Sequence, residues 1–201
     1  MIKIAVLASG SGTNLQAIIE DVMSGYIPAE IKIVLSDKPD AYALTRAENA
    51  GIKTQAVLPK NYASREEFDN ELVKILKAND VEYVALAGYM RLLSKTFLDA
   101  FPNRVVNIHP ALLPSFPGIH GQRDAVEYGV KVSGCTVHFV DENMDHGPII
   151  AQAPVPVLDD DTEETLKARI LEQEHILFPH VLRLIAEGQV EIQGRKVIIK
   201  D

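Results

Sequence analysis

The sequence is poor in the residues that several classes of protein require. Its 201 residues include a single cysteine, so no disulfide can form within the chain and we expect a reducing compartment, the cytoplasm. No stretch approaches the ~18 apolar residues of a membrane span, and the first apolar run is too short for a signal sequence. Acidic side chains outnumber basic ones by 28 to 20, whereas nucleic-acid binding needs clustered Lys and Arg. We therefore expect small-molecule substrates, with neither nucleic acid nor membrane as a partner.

Alternating strand and helix patterns fill the first half of the chain. Apolar, β-branched runs predict buried strands at 2–9, 30–37, 83–88 and 104–109. Apolar residues at helical spacing predict helices at 14–23, 41–51 and 64–80. Such alternation indicates βαβ units, and therefore a mostly parallel, Rossmann-like sheet flanked by helices.

The second half has a different pattern. Two strands at 132–140 and 148–157, joined by a short loop, predict an antiparallel extension of the sheet. A long helix over 159–188 follows, with Asp161 and Glu164 in capping-box spacing, and a hairpin over 190–199 closes the chain. With 47% hydrophobic residues, the sequence predicts one α/β domain over residues 1–201.

The first strand runs into a glycine-containing turn, "ASGSGTN" at 8–14, just before a helix. Backbone N–H groups and the positive end of the helix dipole make such a turn an anion site. A dinucleotide fingerprint would need a third glycine where Leu15 stands, yet Asp37 occupies the place of a ribose-binding acid, so a nicotinamide site stays open. A plain tight turn, with Ser11 or Thr13 as N-cap, is the structural alternative.

A second candidate site begins in "VVNIHPALLP", where Asn107 and His109 lie two residues apart on a strand that Pro110 ends. A strand repeats every two residues, so both side chains point the same way, roughly 7 Å apart. If Asp145 of "DENMDHGPI" meets them, Asn107 and His109 could stabilise an oxyanion while Asp145 keeps the imidazole charged. Taken singly, a histidine in this position is more often a buried one bonded to backbone, and an aspartate such as Asp145 is most often a turn residue before a glycine, here Gly147.

The remaining histidines and the cysteine suggest no further chemistry. The six His show no spacing typical of a zinc site, so we expect no metal. Cys135 lies in the apolar run "GCTVHFV", where a buried, unreactive thiol is expected.

Four motifs resemble the folate-dependent formyltransferase family, and within it the glycinamide ribonucleotide transformylases of purine synthesis. They are "SGSGTNLQAII", "GYMRLL", "NIHPALLPSFPG" and "HFV…DHGPI…Q" ending near "QEH". The resemblance covers the whole chain. It implies a phosphate-binding half over 1–109 and a folate-binding, catalytic half over 110–201. It also implies transfer of a formyl group from 10-formyltetrahydrofolate, as cosubstrate, to the amine of glycinamide ribonucleotide, by a monomer or a homodimer without a metal.

The resemblance also implies roles for individual residues. Asn107, His109 and Asp145 are the expected catalytic residues. The ribonucleotide is expected at Gly12, Thr13, Asn14 and Glu174, and the folate at Arg65, Met90, Arg91, Leu92, Leu93, Asn107, Val140 and Asp141. Leu171 stands where some relatives carry a polar or basic side chain. Two other functions remain open, a deformylase that passes the formyl group to water and a non-catalytic nucleotide-binding module.

Overall fold

The computed structural model of the protein describes residues 1–200. The chain divides into two compact units, unit 1 (Met1–Val106) and unit 2 (Asn107–Asp201). The prediction of a single domain with halves that meet at residue 109 stays a prediction.

Unit 1 is built on a parallel sheet. Its strands are β1 (Ile2–Leu7), β2 (Ala29–Ser36), β3 (Thr54–Ala56) and β4 (Tyr83–Leu86), in the order β3-β2-β1-β4, and neighbouring strands in this order run parallel. Its helices are α1 (Thr13–Met23), α2 (Tyr42–Asn49), α3 (Arg65–Ala78) and α4 (Lys95–Ala100), with a 3-10 turn at Pro59–Asn61. Parallel strands are buried on both faces, and residues 4–7 of β1 are accordingly 0% exposed.

Helix α3 shows how the sequence sets these elements. Ser64 is its N-cap and accepts a hydrogen bond from the backbone N–H of Glu67 at 3.1 Å. Phe68, Leu72 and Leu76 follow at helical spacing and are at most 2% exposed. The apolar stripe predicted for this helix therefore packs into the core of unit 1.

Unit 2 combines a short sheet with the longest helix of the chain. Its strands follow the order β5-β6-β7, where β5 (Val105–His109) begins with the last two residues of unit 1, and β6 (Val132–Phe139) pairs antiparallel with β7 (Ile149–Pro156). Helices α5 (Gly121–Tyr128) and α6 (Glu163–Ala186) precede and follow that strand pair. Strands β8 (Val190–Gln193) and β9 (Lys196–Ile199) form a separate antiparallel hairpin.

The predicted fold class is confirmed: a mostly parallel α/β sheet with helices, an antiparallel extension, and a long helix near the C-terminus. Four short elements escaped prediction, namely β3, the 3-10 turn, α4 and α5. Each has at most eight residues, too few for an apolar periodicity to stand out.

The predicted capping box of α6 is wrong in its residues. The N-cap is Thr162, which exchanges hydrogen bonds with Thr165 at 3.3 and 2.9 Å. Asp161 instead receives two hydrogen bonds from the guanidinium of Arg169, at 2.6 and 2.9 Å. The guanidinium lowers the pKa of the Asp161 carboxyl well below its usual range. The carboxylate is thus engaged by a cation one residue before the cap.

Candidate active site

The turn between β1 and α1 leaves the start of the helix open. Gly12 is the N-cap, at φ 72° and ψ 27° in the left-handed region, and a glycine has no side chain with which to cap the helix. The prediction of Ser11 or Thr13 as N-cap is therefore wrong, because a side-chain cap needs an extended backbone at the cap residue. The cap residue thus offers no side-chain acceptor to the first N–H groups of α1, and N–H groups at a helix start are the donors that anions bind.

The turn is held by helix α2. A Cβ atom on Gly12 would lie 2.6 Å from Cα of Ala43 and 2.7 Å from its Cβ, so only glycine fits there. The N–H of Ala43 donates to the carbonyl of Gly10 at 3.1 Å, and Nε of Arg46 donates to the carbonyl of Ser11 at 2.7 Å. These contacts fix the path of the backbone between strand and helix.

Asp37, the candidate ribose-binding acid of a nicotinamide site, has a structural role in the same turn. Its Oδ1 accepts a hydrogen bond of 2.6 Å from the hydroxyl of Ser9. That hydroxyl in turn accepts one of 3.0 Å from the N–H of Met90. The carboxylate therefore ties the end of β1 to the segment that follows β4.

The predicted folate segment, residues 90–93, lies in that connection between β4 and α4. Met90 and Leu92 are 56% and 49% exposed, while Leu93 is 7% exposed and belongs to the core. Two neighbouring apolar side chains that stay exposed are available to an apolar ligand, whereas Leu93 is accounted for by packing.

Two arginines of unit 1 were predicted to meet the folate. Arg91 stacks its guanidinium over the ring of Phe68, 5.2 Å from the ring centre. Arg65 is the first residue of α3 and is exposed, with Nη2 3.9 Å from a carboxylate oxygen of Glu66. A surface pair at that distance contributes little to stability, so the Arg65 guanidinium can turn to another anion.

Two of the three predicted catalytic residues come together in unit 2. His109 ends β5 and is 3% exposed, with Nδ1 3.5 Å from Oδ2 of Asp145. Its Nε2 lies 2.8 Å from the carbonyl of Phe116, and because a carbonyl only accepts, Nε2 donates. Oδ2 of Asp145 accepts a hydrogen bond of 2.7 Å from the N–H of Gly118. The loop after β5 thus bonds to both members of the pair.

Asp145 is presented by a tightly fixed loop between β6 and β7. Its φ of 50° lies in the left-handed region, which Asp and Asn adopt more readily than other residues with a side chain. Asp141 accepts a hydrogen bond of 2.8 Å from Nδ1 of His146 within the loop. A Cβ on Gly147 would collide with the carbonyl of Phe139, so that position requires glycine. These contacts within the loop fix the direction in which the Asp145 side chain points.

The third predicted catalytic residue, Asn107, contacts His138, one of the histidines for which the sequence predicts no further chemistry. Its Nδ2 lies 3.3 Å from Nε2 of His138, which is 2% exposed near the end of β6. Nδ1 of His138 donates to the carbonyl of Phe139 at 2.8 Å. A histidine inside an apolar strand was the signal that could have identified it, because a buried polar side chain needs a partner.

The other predicted residues of unit 2 are more enclosed. Val140 is half-buried at the start of the loop that carries Asp145, and Glu174 is 5% exposed on α6. Leu171 is half-buried one helical turn earlier. Burial, with a smaller effect of the Glu174 charge, raises the pKa of Cys135 to about 12, as expected of an unreactive thiol.

Residues 1–200 contain neither a metal-binding cluster nor a membrane-spanning helix. No group of three or more His, Cys, Asp or Glu side chains is arranged to hold a metal ion within the described chain. In the same residues, no helix combines the length and the apolar character that a membrane crossing demands.

Comparison with known proteins places these features in a family. The family model described as "Formyl transferase" matches residues 2–182. The phosphoribosylglycinamide formyltransferase of Escherichia coli K12 is 42% identical over 94% of this chain and 90% of its own. A trifunctional purine biosynthetic protein, adenosine-3 of Drosophila melanogaster, is 49% identical over 92% of this chain, which spans 14% of that protein.

A solved structure has the same fold as this chain. Glycinamide ribonucleotide transformylase 1 from Symbiobacterium toebii superposes with a TM-score of 0.99 at 55% identity, over 100% of this chain and 95% of that one. Fold and sequence thus define an α/β protein of the transferase class. The chain belongs to the formyl transferase family.

Proposed function

We propose that this protein transfers the formyl group of 10-formyltetrahydrofolate to the amine of glycinamide ribonucleotide. The products would be formylglycinamide ribonucleotide and tetrahydrofolate, in de novo purine synthesis. The observation that carries the proposal is the pairing of buried His109, at the end of β5, with Asp145 of the loop between β6 and β7. The name of the Escherichia coli relative, which this chain matches over 90% of its length, supports the same substrates. A cytoplasmic location stays a prediction.

Formyl transfer develops one negative charge that the protein would have to stabilise. The lone pair of the amine attacks the formyl carbon, and the carbonyl oxygen becomes the oxyanion of a tetrahedral intermediate. When that intermediate collapses, the bond from carbon to N10 of the folate breaks, and the proton lost by the amine ends on N10. Hydrogen-bond donors aimed at the oxyanion are worth about 10²–10³ in rate each. We assign this task to His109 and to the amide of Asn107.

The geometry of His109 suggests how it meets the substrate. Its Nε2 donates to the carbonyl of Phe116 at 2.8 Å, the distance at which an oxyanion would also accept. We therefore propose that the substrate oxygen takes the place of the Phe116 carbonyl. Asp145 would pair with the imidazole on its other side, since its Oδ2 lies 3.5 Å from Nδ1.

We assign the binding of the two substrates to the following residues. The open N-terminus of α1, at Gly12, Thr13 and Asn14, would hold the phosphate through backbone N–H groups. The folate would contact Met90, Arg91, Leu92, Leu93, Asn107, Val140 and Asp141, with Arg65 at its glutamate tail. Glu174 would accept from the ribose hydroxyls. Because Glu174 is 5% exposed, the ribose would have to displace its present neighbours.

One assay tests the proposal against its competitors. Purified protein is incubated with 10-formyltetrahydrofolate, with and without glycinamide ribonucleotide, and tetrahydrofolate, formate and the formylated ribonucleotide are measured. We expect tetrahydrofolate and formylated ribonucleotide in equal amounts, and only when the ribonucleotide is present. Formate released without the ribonucleotide would identify a deformylase instead. No turnover in either mixture would leave a binding module.

A further inference from the structure

His138 sits on β6 with both ring nitrogens engaged. Nδ1 lies 2.8 Å from the carbonyl oxygen of Phe139, and since a carbonyl has no hydrogen to give, Nδ1 carries the proton. Nε2 lies 3.3 Å from Nδ2 of Asn107, and since an amide nitrogen has no lone pair to offer, Nε2 accepts. The two contacts together define a neutral imidazole protonated on Nδ1.

The surroundings of His138 favour that neutral form. The ring is 2% exposed, and burial lowers the pKa of His138 below its usual range. The hydrogen bond to Phe139 and the carboxylates of Asp145 and Asp141 oppose this effect, while the nearby charge of His109 adds to it. Oδ1 of Asp145 stands 4.0 Å from Nε2 of His138, beyond a hydrogen bond.

The neutral ring decides which way the amide of Asn107 points. If the amide were flipped, its Oδ1 would face Nε2, and the ring would need a second proton to donate to it. That cation would be enclosed in the protein, so the flipped amide is disfavoured. In the observed orientation one N–H of Asn107 is used by His138, while its second N–H and its Oδ1 make no other side-chain hydrogen bond within residues 1–200.

We propose that His138 is a positioning residue that fixes the orientation of the Asn107 amide by accepting a hydrogen bond at Nε2. The inference rests on the proposed function, in which the second N–H of Asn107 donates to the oxyanion. A histidine that only filled space would not need this tautomer. His109 and His138 thus differ in task, because the first donates to the reacting oxygen and the second orients another donor.

Two amide substitutions at His138 test the roles of its two ring nitrogens one at a time. His138→Gln can place an oxygen where Nε2 stands and keep the acceptor for Asn107. His138→Asn can place its amide near Nδ1, where it keeps the bond to Phe139 and loses that acceptor. Both variants put a neutral amide into the same buried site, so each controls for the other.

We expect His138→Asn to lower kcat at least about tenfold with little change in either KM, since a lost hydrogen bond of ordinary strength is worth that factor. His138→Gln should restore most of kcat. In the His138→Asn background, Asn107→Ala should cost far less than it does in the native protein, because the amide is already misplaced. Equal kcat for the two His138 variants, or undiminished loss from Asn107→Ala, would overturn the proposal.

A measurement without substrate keeps the inference apart from the proposed function. Nitrogen-15 NMR of the histidine side chains in the native protein reports which ring nitrogen of His138 carries the proton. We expect Nδ1–H and a bare Nε2 at neutral pH. A proton on Nε2 would overturn the inference even in an active enzyme. Absence of formyl transfer together with the expected tautomer would instead count against the proposed function alone.

Discussion

The glycine turn of unit 1 and the side-chain cluster of unit 2 hold their functional groups by different means. The turn offers backbone N–H groups, and its shape depends on a single missing Cβ at Gly12. The cluster offers three side chains from two places in the sequence, strand β5 and the loop between β6 and β7. Each of them is bonded to a neighbour: His109 to Phe116, Asp145 to Gly118 and Asn107 to His138.

The difference teaches where each region is vulnerable. Backbone donors survive most side-chain changes, so the turn should tolerate substitution wherever there is room for a Cβ. Side chains that act together fail together, so loss of one member of the cluster should remove most of what the group contributes. Mutations in the turn should therefore change the stability of the protein and the KM for the substrate. Mutations in the cluster should change kcat.

The largest effect is expected from the pair of His109 and Asp145. Asp145→Asn keeps a side chain that tolerates the left-handed backbone at φ 50° and removes only the charge. His109→Gln keeps a neutral donor for the carbonyl of Phe116 but removes the charged imidazole on which the proposed mechanism depends. Each change should lower kcat by about 10²–10³, and the double variant should be little worse, because the two residues act as a unit. Steady-state kinetics with both substrates measures this.

A matched control for the charge change is Asp159→Asn. Asp159 carries the same charge in unit 2 and pairs with Lys131 at an exposed position, with side chains 91% and 77% accessible. Its kcat should stay native. If the losses from His109→Gln and Asp145→Asn multiplied in the double variant, the two residues would act independently and the cluster would not be a unit.

Much of this comparison was accessible from sequence. The strands that carry both regions were predicted because a parallel sheet demands long apolar runs, and Asn107 and His109 were predicted to project together because a strand repeats every two residues. The meeting of His109 with Asp145 was expected only as a convergence of a strand end with a loop. The structure gives it a distance of 3.5 Å.

What escaped prediction depends on contacts between distant residues. No residue near Gly12 in sequence indicates that Ala43 packs so closely that a Cβ on Gly12 would lie 2.6 Å from the Cα of Ala43. The sequence therefore predicted a neighbour of Gly12 as the N-cap. Asp161 fitted a capping pattern, but its carboxylate accepts two hydrogen bonds from Arg169, eight residues further on. The partnership of Asn107 with His138 joins residues 31 positions apart, a separation that no local pattern records.

An effect of intermediate size is expected on stability, and it should differ between Gly10 and Gly12 of the turn. Gly12→Ala places a Cβ against the backbone of Ala43 at a positive φ, and should cost about 2 kcal/mol of stability. Gly10→Ala is its matched control, because a Cβ there meets nothing within 4 Å. For a protein of this size the first change should lower Tm by about 4–8 °C, and the second should leave it nearly unchanged. Equal losses by differential scanning calorimetry would show that the packing against Ala43 does not control the turn.

The smallest effect tests whether the turn binds a phosphate at all. Thr13→Asp places a negative charge at the first residue of α1, where the helix dipole favours it, so the protein should fold at least as well as before. The same charge repels a phosphate held by the neighbouring N–H groups. The KM for the ribonucleotide should therefore rise about tenfold, equivalent to roughly 1.4 kcal/mol, with the KM for the folate unchanged. Thr13→Asn, of equal size and without charge, is the control and should keep a nearly native KM. If Thr13→Asp and Thr13→Asn gave the same KM for the ribonucleotide, the open N-terminus of α1 would be a feature of the fold and the phosphate would bind elsewhere.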